Sequence, residues 1–245
     1  MNQSRRHRLT LTAGMLMLAA SACGQGLLGN SGGHCIPSAE MLEAGTFRCG
    51  IHYVQGGTIV GPTKSDSYDF PYDTGIYYLN FTAFSWLEAT FSETIVANKL
   101  KDGSYYYYNQ DRTLSLKLRP VSEGKYRPAI AVGAIDPFSI CDHPTYCTYW
   151  AAMTKHVHSR RLHGTLGATL SYGYGAETSR MWDGVMGGLT YEPDRWQGTR
   201  LSVEYDTHGV VVGAETLLWR HLGLYVWTRD MQRVVAGARF QITLK

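Results

Sequence analysis

The stretch from residue 109 to 137 constrains the fold most, because it holds two strand-like runs on either side of a polar turn. Leu114, Leu116 and Leu118 occupy alternate positions, and the residues between them are polar or charged. Successive side chains of a β-strand point to opposite faces, so this period of two predicts a strand with one apolar and one polar face. Residues 122–125 are turn-forming, and a second alternating run follows at 126–136. The unit is therefore predicted to be a β-hairpin.

The polar face of this hairpin carries charges that a dry protein core would not accept. Lys117 and Arg119 lie on the first run, and Arg127 lies on the second. A barrel with a lipid-facing apolar exterior and a wet interior accommodates both faces. We therefore expect an all-β, transmembrane, antiparallel up-and-down barrel. A soluble β-sandwich is the alternative architecture.

The rest of the chain contains further runs of the same kind. We predict strands at 46–54, 75–84, 86–95, 147–157, 164–174, 183–191, 199–206, 209–217, 222–228 and 232–244, which with the hairpin gives about 12 strands. The stretch 97–108, which ends in the tyrosine run 105–108, is predicted to be a loop. An even strand number is typical of bacterial outer-membrane barrels, and short and long connections alternate along the chain as that architecture requires.

The N-terminus has the layout of a secretory signal. Arg5, Arg6 and Arg8 precede an apolar run, and small residues stand just before Cys23. We expect residues 1–22 to be a signal peptide, 23–44 a periplasmic segment and 45–245 the outer-membrane barrel. Two interpretations of Cys23 stay open: it is the lipidated first residue of a lipoprotein, or the signal has an ordinary cleavage site. No later stretch reaches the roughly 18 apolar residues that a transmembrane helix needs.

Ten charged residues are predicted on inward faces of the barrel. Two interpretations of them stay open: a polar passage for an anionic glycan, or an interior salt-bridge network that plugs a narrow barrel, which we favour. The ten residues are Arg48, Glu88, Lys117, Arg119, Arg127, Arg200, Glu204, Asp206, Glu215 and Arg239.

The remaining candidate sites give weaker signals. Cys141 and Cys147 are close enough in sequence for a disulfide in an oxidising compartment, and Cys35 with Cys49 is a second candidate pair. Aromatic residues at 86, 105–108, 150, 182 and 196 are predicted to form interfacial girdles, with stacking on sugars as the alternative. The histidines at 156, 158 and 163 lie among arginines and are predicted to form a solvated turn.

No motif for catalysis or for nucleic-acid binding is present. The sequence contains no Gly-x-Ser-x-Gly elbow, His-Glu-x-x-His helix or P-loop. The formal net charge of +3 and the absence of a basic tract with interleaved aromatics argue against a nucleic-acid partner. We expect no enzymatic activity, no cofactor and no metal.

Four segments carry a resemblance to a known family. They are residues 36–48, 110–120, 123–133 and 188–195, the last followed by a strand that contains Glu204, Tyr205 and Asp206. Together they resemble YjbH-type proteins of Gram-negative bacteria. The resemblance implies an outer-membrane β-barrel that assists exopolysaccharide or capsule export and assembly, without an established enzymatic activity. It also implies outer-membrane lipids as partners, with anionic polysaccharide and exopolysaccharide-secretion proteins as further candidates.

Two alternative functions are kept beside this one. The first is an outer-membrane barrel that hydrolyses lipid, for which His52 and Ser92 are the inward-facing candidates. The second is a lipid-tethered β-sandwich that binds glycans. The two architectures differ at the leucines of the hairpin, which face outward in a barrel and into a core in a sandwich.

Overall fold

The structure, a computed structural model, describes residues 23–55, 73–99, 105–138, 146–175 and 181–244, with the side chains of 98–99 and 105–111 left aside. Its strands are β1 Thr46–Val54, β2 Asp73–Phe84, β3 Leu87–Lys99, β4 Tyr105–Val121, β5 Ala129–Ile135, β6 Thr148–Ser159, β7 Gly164–Gly175, β8 Gly184–Pro193, β9 Thr199–Tyr205, β10 Val210–Leu218, β11 Leu222–Arg229 and β12 Arg233–Thr243. None of these residues forms a helix that is long and apolar enough to cross a membrane.

The strands form a closed antiparallel barrel of 12 strands in sequence order, as predicted. Each strand pairs with the next one along the chain, and β1 pairs with β12 to close the ring. The closing register runs from Thr46 opposite Thr243 to Val54 opposite Val235. Closure leaves no free sheet edge, so every strand has a partner on both sides. The sandwich alternative is therefore excluded.

The two faces of the hairpin are separated as the period of two predicts. Lys117 is 1% exposed inside the barrel, whereas its neighbour Leu118 is 42% exposed on the outer face. The same alternation holds on β1, where Arg48 and His52 are buried and Ile51 and Tyr53 are exposed. The barrel thus has a polar inner face and an apolar outer face.

Several strands differ in their bounds from the sequence prediction. The tyrosine run 105–108 lies in β4 and not in a loop, because β3 and β4 continue pairing as far as Lys99 opposite Tyr105. β5 begins at Ala129, so Arg127 lies in the turn before it and not on an inward strand face. The run from 147, predicted as a weak strand, forms the full strand β6.

The barrel has two distinct ends. The turn end carries the short connections 85–86, 122–128, 160–163, 194–198 and 219–221, together with the start of β1 and the end of β12. The loop end carries the connections 55–72, 100–104, 136–147, 176–183, 206–209 and 230–232. The longest connections all lie at the loop end, as the alternation in the sequence predicts.

Residues 23–42 fill the lumen and are called the plug below. Gln25, Leu28, Ser31, His34 and Ala39 are each between 0% and 4% exposed. A bridge between Gln25 and Ser31 folds the segment back on itself within the barrel. The sequence had suggested a periplasmic segment over 23–44. The structure instead places most of it inside the wall, because the ring of 12 strands leaves a polar lumen that the wall side chains do not fill.

Aromatic residues form two bands on the outer face. Exposed tyrosines lie near the loop end, and exposed tryptophans and a phenylalanine lie near the turn end: Tyr53, Tyr77, Tyr149, Tyr172, Tyr174 and Tyr205 in the first band, Phe84, Trp86, Trp196 and Trp219 in the second. Trp150 and Trp182, which were predicted to belong to such bands, are 6% and 7% exposed in the lumen. They face inward because they pack against the plug.

Candidate functional site

Wall carboxylates hold the plug through its backbone amides. Glu204 of β9 accepts hydrogen bonds from the backbone N–H groups of His34 and Cys35, both at 2.8 Å. Glu88 of β3 accepts one from the N–H of Ser31 at 2.9 Å and a second from the Ser31 hydroxyl. A carboxylate that receives two donors in a buried site makes stronger hydrogen bonds than a neutral acceptor does. Both wall charges are therefore used to fix the plug.

Lysine and arginine side chains of the wall donate hydrogen bonds to backbone carbonyl groups of the plug. Lys117 Nζ donates to the carbonyl of Ser31 at 2.8 Å. Arg48 donates to the carbonyl of Cys23 at 3.0 Å, and Arg239 reaches the same oxygen at 3.4 Å. Arg239 also pairs with Glu215 at 3.0 Å. Each cation thus compensates a plug oxygen that would otherwise be buried without a donor.

One side chain of the plug forms the strongest ionic contact with the wall. Glu40 receives two hydrogen bonds from the guanidinium of Arg200, at 2.6 and 2.5 Å. His156 of β6 stands between Glu40 and Glu123, with its ring nitrogens 3.4 Å from the first carboxylate and 2.8 Å from the second. We call Glu40, Arg200, His156 and Glu123 the latch. It fastens the last turn of the plug to β6, β9 and the connection between β4 and β5.

The latch keeps its carboxylates ionised. Burial acts to raise the pKa of Glu40, but the charge of Arg200 and hydrogen bonds from His156 and Arg200 outweigh it and hold that pKa well below its usual value of 4.5. Glu123 is only partly buried. Burial is still the largest single influence and acts to raise the pKa of Glu123, but the hydrogen bonds from His156 and Lys155 together outweigh it, so this pKa is also lowered.

Close packing completes the seal around the plug. Ala39 N–H donates to the Thr154 hydroxyl at 3.0 Å, and the Trp182 indole donates to the Cys35 carbonyl at 2.7 Å. A Cβ on Gly213 would lie 2.5 Å from the His34 ring, so only glycine lets β10 approach the plug this closely. The void between the plug and the ends of β5 and β6 measures only about 20 Å³. The plug is therefore tightly packed against this part of the wall.

Most of the ten predicted interior charges lie on the inner face. Buried there are Arg48, Glu88, Lys117, Arg200, Glu204, Asp206, Glu215 and Arg239. Asp206, at the loop end, bonds to Arg229 and accepts from the backbone N–H of His208. This pattern favours the interior network over a passage, with the plug as the main partner of the network.

The other two charges lie at the turn end, where Arg119 borders a cavity of the lumen and Arg127 does not face the lumen. Arg119 is half-buried at the turn end, where it donates to the Ser85 carbonyl at 2.8 Å. Arg127 is exposed in the turn before β5 and donates to the Ser122 carbonyl at 3.1 Å. The alternation that predicted Arg127 to face inward does not reach it, because pairing with β6 begins only at Ala129.

A cavity of about 360 Å³ opens beside the latch at the turn end. Cys23, Glu40, Arg119, Glu123 and Glu192 contribute to its lining. Cys23 is the candidate for lipidation, and its side chain is 8% exposed within this cavity. A lipid on Cys23 would require this end of the plug to leave the lumen.

The cysteines are placed on different sides of the wall. Cys35 is buried in the lumen, whereas Cys49 alternates with inward-facing residues and lies on the outer face of β1, and both are free. The suggested pair between them is therefore not formed, because the wall separates them. Cys147 lies at the start of β6, and its predicted partner Cys141 lies outside the described residues.

The structure does not bring together the candidate hydrolase pair. His52 is packed between the rings of Tyr78 and Tyr225, at centroid distances of 5.1 and 4.9 Å. Ser92 lies on β3 opposite Tyr78, so the tyrosine stands between the two residues. Both are in the lumen and away from the outer surface. Within the described ranges, no group of three or more His, Cys, Asp or Glu residues could hold a metal ion.

Sequence reasoning missed the plug side of the site. Glu40 and His156 were not singled out as partners, because one lies in a segment without periodicity and the other in a histidine- and arginine-rich run that looks solvated. A weak signal was available, since residues 26–42 contain several apolar and small residues that an exposed tether does not need.

These features define a closed β-barrel whose own N-terminal segment is bound in its lumen. The YjbH family model, described as exopolysaccharide biosynthesis protein YbjH, matches residues 24–182, which include the plug and the strands from β1 to β7. The chain therefore belongs to the YjbH family. A search of curated proteins found no match.

Proposed function

We propose that this protein is an integral outer-membrane β-barrel that assists the export or assembly of an exopolysaccharide or capsule. The family points to exopolysaccharide production. The observation that carries the membrane part of the proposal is the outer face, where apolar side chains cover a barrel with a charged interior. A soluble barrel would expose that face to water, and contiguous apolar surfaces of such size are rare on soluble proteins.

The aromatic bands support insertion in a bilayer. Tyrosine and tryptophan prefer the two membrane–water interfaces, because one end of each ring system is apolar and the other forms hydrogen bonds. In this barrel the tyrosine band lies near the loop end and the tryptophan band near the turn end, with aliphatic residues such as Leu170 and Val203 between them. This is the order of bands that a membrane-spanning barrel requires.

The plug limits how the barrel can act, because it occupies the lumen. With Glu88, Glu204 and Arg200 bound to the plug, the lumen offers no free path for a glycan chain in this conformation. The proposed role is therefore assistance to a secretion assembly, with any passage dependent on release of the plug. We further propose that the protein is not an enzyme, a view supported by the separation of His52 from Ser92.

Fractionation combined with gel mobility tests the membrane proposal. We expect the protein in the outer-membrane fraction, resistant to extraction by carbonate, with an unboiled band that migrates differently from the boiled band. Deletion of the gene should lower the amount of surface polysaccharide, and the wild-type gene should restore it. Carbonate-soluble protein without a heat-dependent band shift would contradict insertion, and an unchanged polysaccharide level would contradict the assisting role.

A further inference from the structure

The turn end carries a basic surface that the plug and the proposed role do not use. Its exposed cations lie in four consecutive short turns between β4 and β11: Lys125, Arg127, Arg160, Arg161, Arg195 and Arg220. We call these six residues the basic rim. None of them forms an ion pair with any described residue.

The few carboxylates in the same turns are already engaged. Glu123 contacts Lys155 and His156 at 2.8 Å each. Asp194 lies 3.8 Å from His158. The basic rim therefore retains an excess of positive charge that faces away from the barrel.

The opposite end has the reverse charge. The described connections of the loop end contain Asp136, Asp183, Asp206 and Asp230 and no lysine or arginine. Arg229, at the end of β11, is bound to Asp206. Over the full sequence, the connections of the loop end contain nine acidic and three basic residues, and those of the turn end contain two acidic and six basic residues. The two ends therefore differ in the sign of their charge.

Each basic turn also carries one large apolar side chain. Tyr126, Leu162, Trp196 and Trp219 are 86%, 50%, 61% and 79% exposed. Lys125 Nζ lies 5.0 Å from the centre of the Tyr126 ring. Cations beside exposed aromatic residues are typical of protein segments at a lipid headgroup layer.

The shortness of the turns fixes the depth of the basic rim. The turn at 219–221 has three residues and the turn at 160–163 has four, so these cations stay within a few ångströms of the strand ends. Neighbouring turns are two strands apart, which spaces them by roughly 10 Å along the rim. If the strands span the bilayer, the cations lie at headgroup level, because the turns that carry them are too short to reach far into the aqueous phase.

We propose that the basic rim binds the headgroups of anionic phospholipids in the leaflet at the turn end of the barrel. This inference rests on the proposed membrane insertion. The phosphate of a headgroup accepts hydrogen bonds from the guanidinium groups, and the indole rings of Trp196 and Trp219 enter the boundary between headgroups and acyl chains. The rim thereby selects the lipid around the barrel and fixes which end enters the phospholipid leaflet.

Spin-labelled lipids test the inference in vesicles. Full-length protein is reconstituted in phosphatidylcholine vesicles, and the motionally restricted fraction of spin-labelled phosphatidylglycerol is compared with that of spin-labelled phosphatidylcholine. We expect phosphatidylglycerol to be preferred several-fold. The preference should fall towards one in 1 M salt, because the screening length there is only about 3 Å.

Substitutions test whether the basic rim is responsible for the lipid preference. In a variant with Arg160→Gln, Arg161→Gln, Arg195→Gln and Arg220→Gln, we expect the preference to approach one. Arg112→Gln is the matched control, since Arg112 is an exposed outer-face arginine paired with Glu93 at 3.6 Å away from the rim, and it should keep the wild-type preference. Heat-dependent gel mobility confirms that each variant is folded.

Three outcomes would overturn the inference. Equal association of both lipids with the wild-type protein is the first, and an unchanged preference in the fourfold variant is the second. The third is binding of soluble polygalacturonate to the rim without a lipid preference, which would assign the surface to an acidic glycan. Failure of the protein to float with vesicles would instead contradict membrane insertion itself, so the two proposals fail in different ways.

Discussion

The latch shows how single residues hold the plug. Glu40 and Arg200 are both buried, and each neutralises the charge of the other. A buried charge left without its partner is strongly destabilising, so removal of one member costs more than the pair contributes relative to an apolar replacement. The energy of the latch therefore lies in the mutual dependence of its members.

A substitution at Glu40 tests this dependence. Glu40→Gln leaves the buried Arg200 with the more distant carboxylate of Glu192, at 4.0 Å, in place of its close ion pair, and should lower the free energy of opening the plug by about 3 kcal/mol. Hydrogen exchange of residues 24–42 in the reconstituted protein measures that opening, and exchange there should become much faster while the strands remain protected. Asp194→Asn, an exposed change at the turn end, should leave exchange as in the wild type. Unaltered protection of the plug in Glu40→Gln would show that the latch is not what holds it.

Acidity should release the same contact. The folded-state pKa of Glu40 lies well below its usual value of 4.5, so the stabilisation is fully present above about pH 4.5 and is lost as the pH falls through the folded-state value. The pKa of Glu123 is lowered as well, so its contribution to the latch is lost in the same direction of pH. Plug exchange, corrected for its intrinsic pH dependence, should be constant from pH 7 to 5 and should rise below pH 4.5. A rise between pH 7 and 5 would contradict this assignment.

Among the strands, β12 closes the ring, so incorrect placement of this strand would leave the barrel open. β12 pairs with both β1 and β11, and its outer face carries Phe240, which is 48% exposed. Apolar residues at the alternate positions 240, 242 and 244 continue this outer face along the strand. Under the proposed membrane insertion, this face of the closing strand meets lipid.

A charge at this position should interfere with insertion. Phe240→Asp places a carboxylate on the apolar face of β12, where a charged side chain is unfavourable in lipid. We expect its outer-membrane level to fall several-fold below that of the wild type in quantitative immunoblots. Gln232→Asp, in the turn that precedes β12, serves as the control and should insert normally. Wild-type levels of Phe240→Asp would mean that this face of β12 does not meet lipid.

The sequence predicts the wall better than the contents of the lumen. Alternation places Lys117 inside and Leu118 outside, because a local period of two determines the face of a strand. The plug has no such period, and its contacts join residues far apart in the chain, such as Glu40 with Arg200 and Ser31 with Glu88. Contacts of this kind depend on the closed barrel and leave no local pattern. The prediction of the wall fails at Arg127. The alternating sequence pattern includes this residue, but strand pairing begins only at Ala129.

The whole molecule combines an apolar exterior, a charged inner wall and an internal plug. Four charged wall residues find their partners in the plug, which supplies donors to Glu88 and Glu204 and acceptors to Lys117 and Arg48. The same arrangement explains how a barrel with a polar interior is closed. The proposed membrane insertion requires that the outer face of the strands meets lipid.

Cysteine accessibility at one strand position and one turn position tests this requirement. Leu116→Cys and Tyr126→Cys are prepared in a background without the native cysteines and are labelled in intact outer membranes. We predict that the cysteine at 116 reacts with a lipid-soluble maleimide and is shielded from a membrane-impermeant one, whereas the cysteine at 126, in the exposed turn, reacts with the impermeant reagent once the turn end is accessible. Equal reaction of both positions with the impermeant reagent, or no reaction of position 116 with either, would contradict a lipid-facing wall.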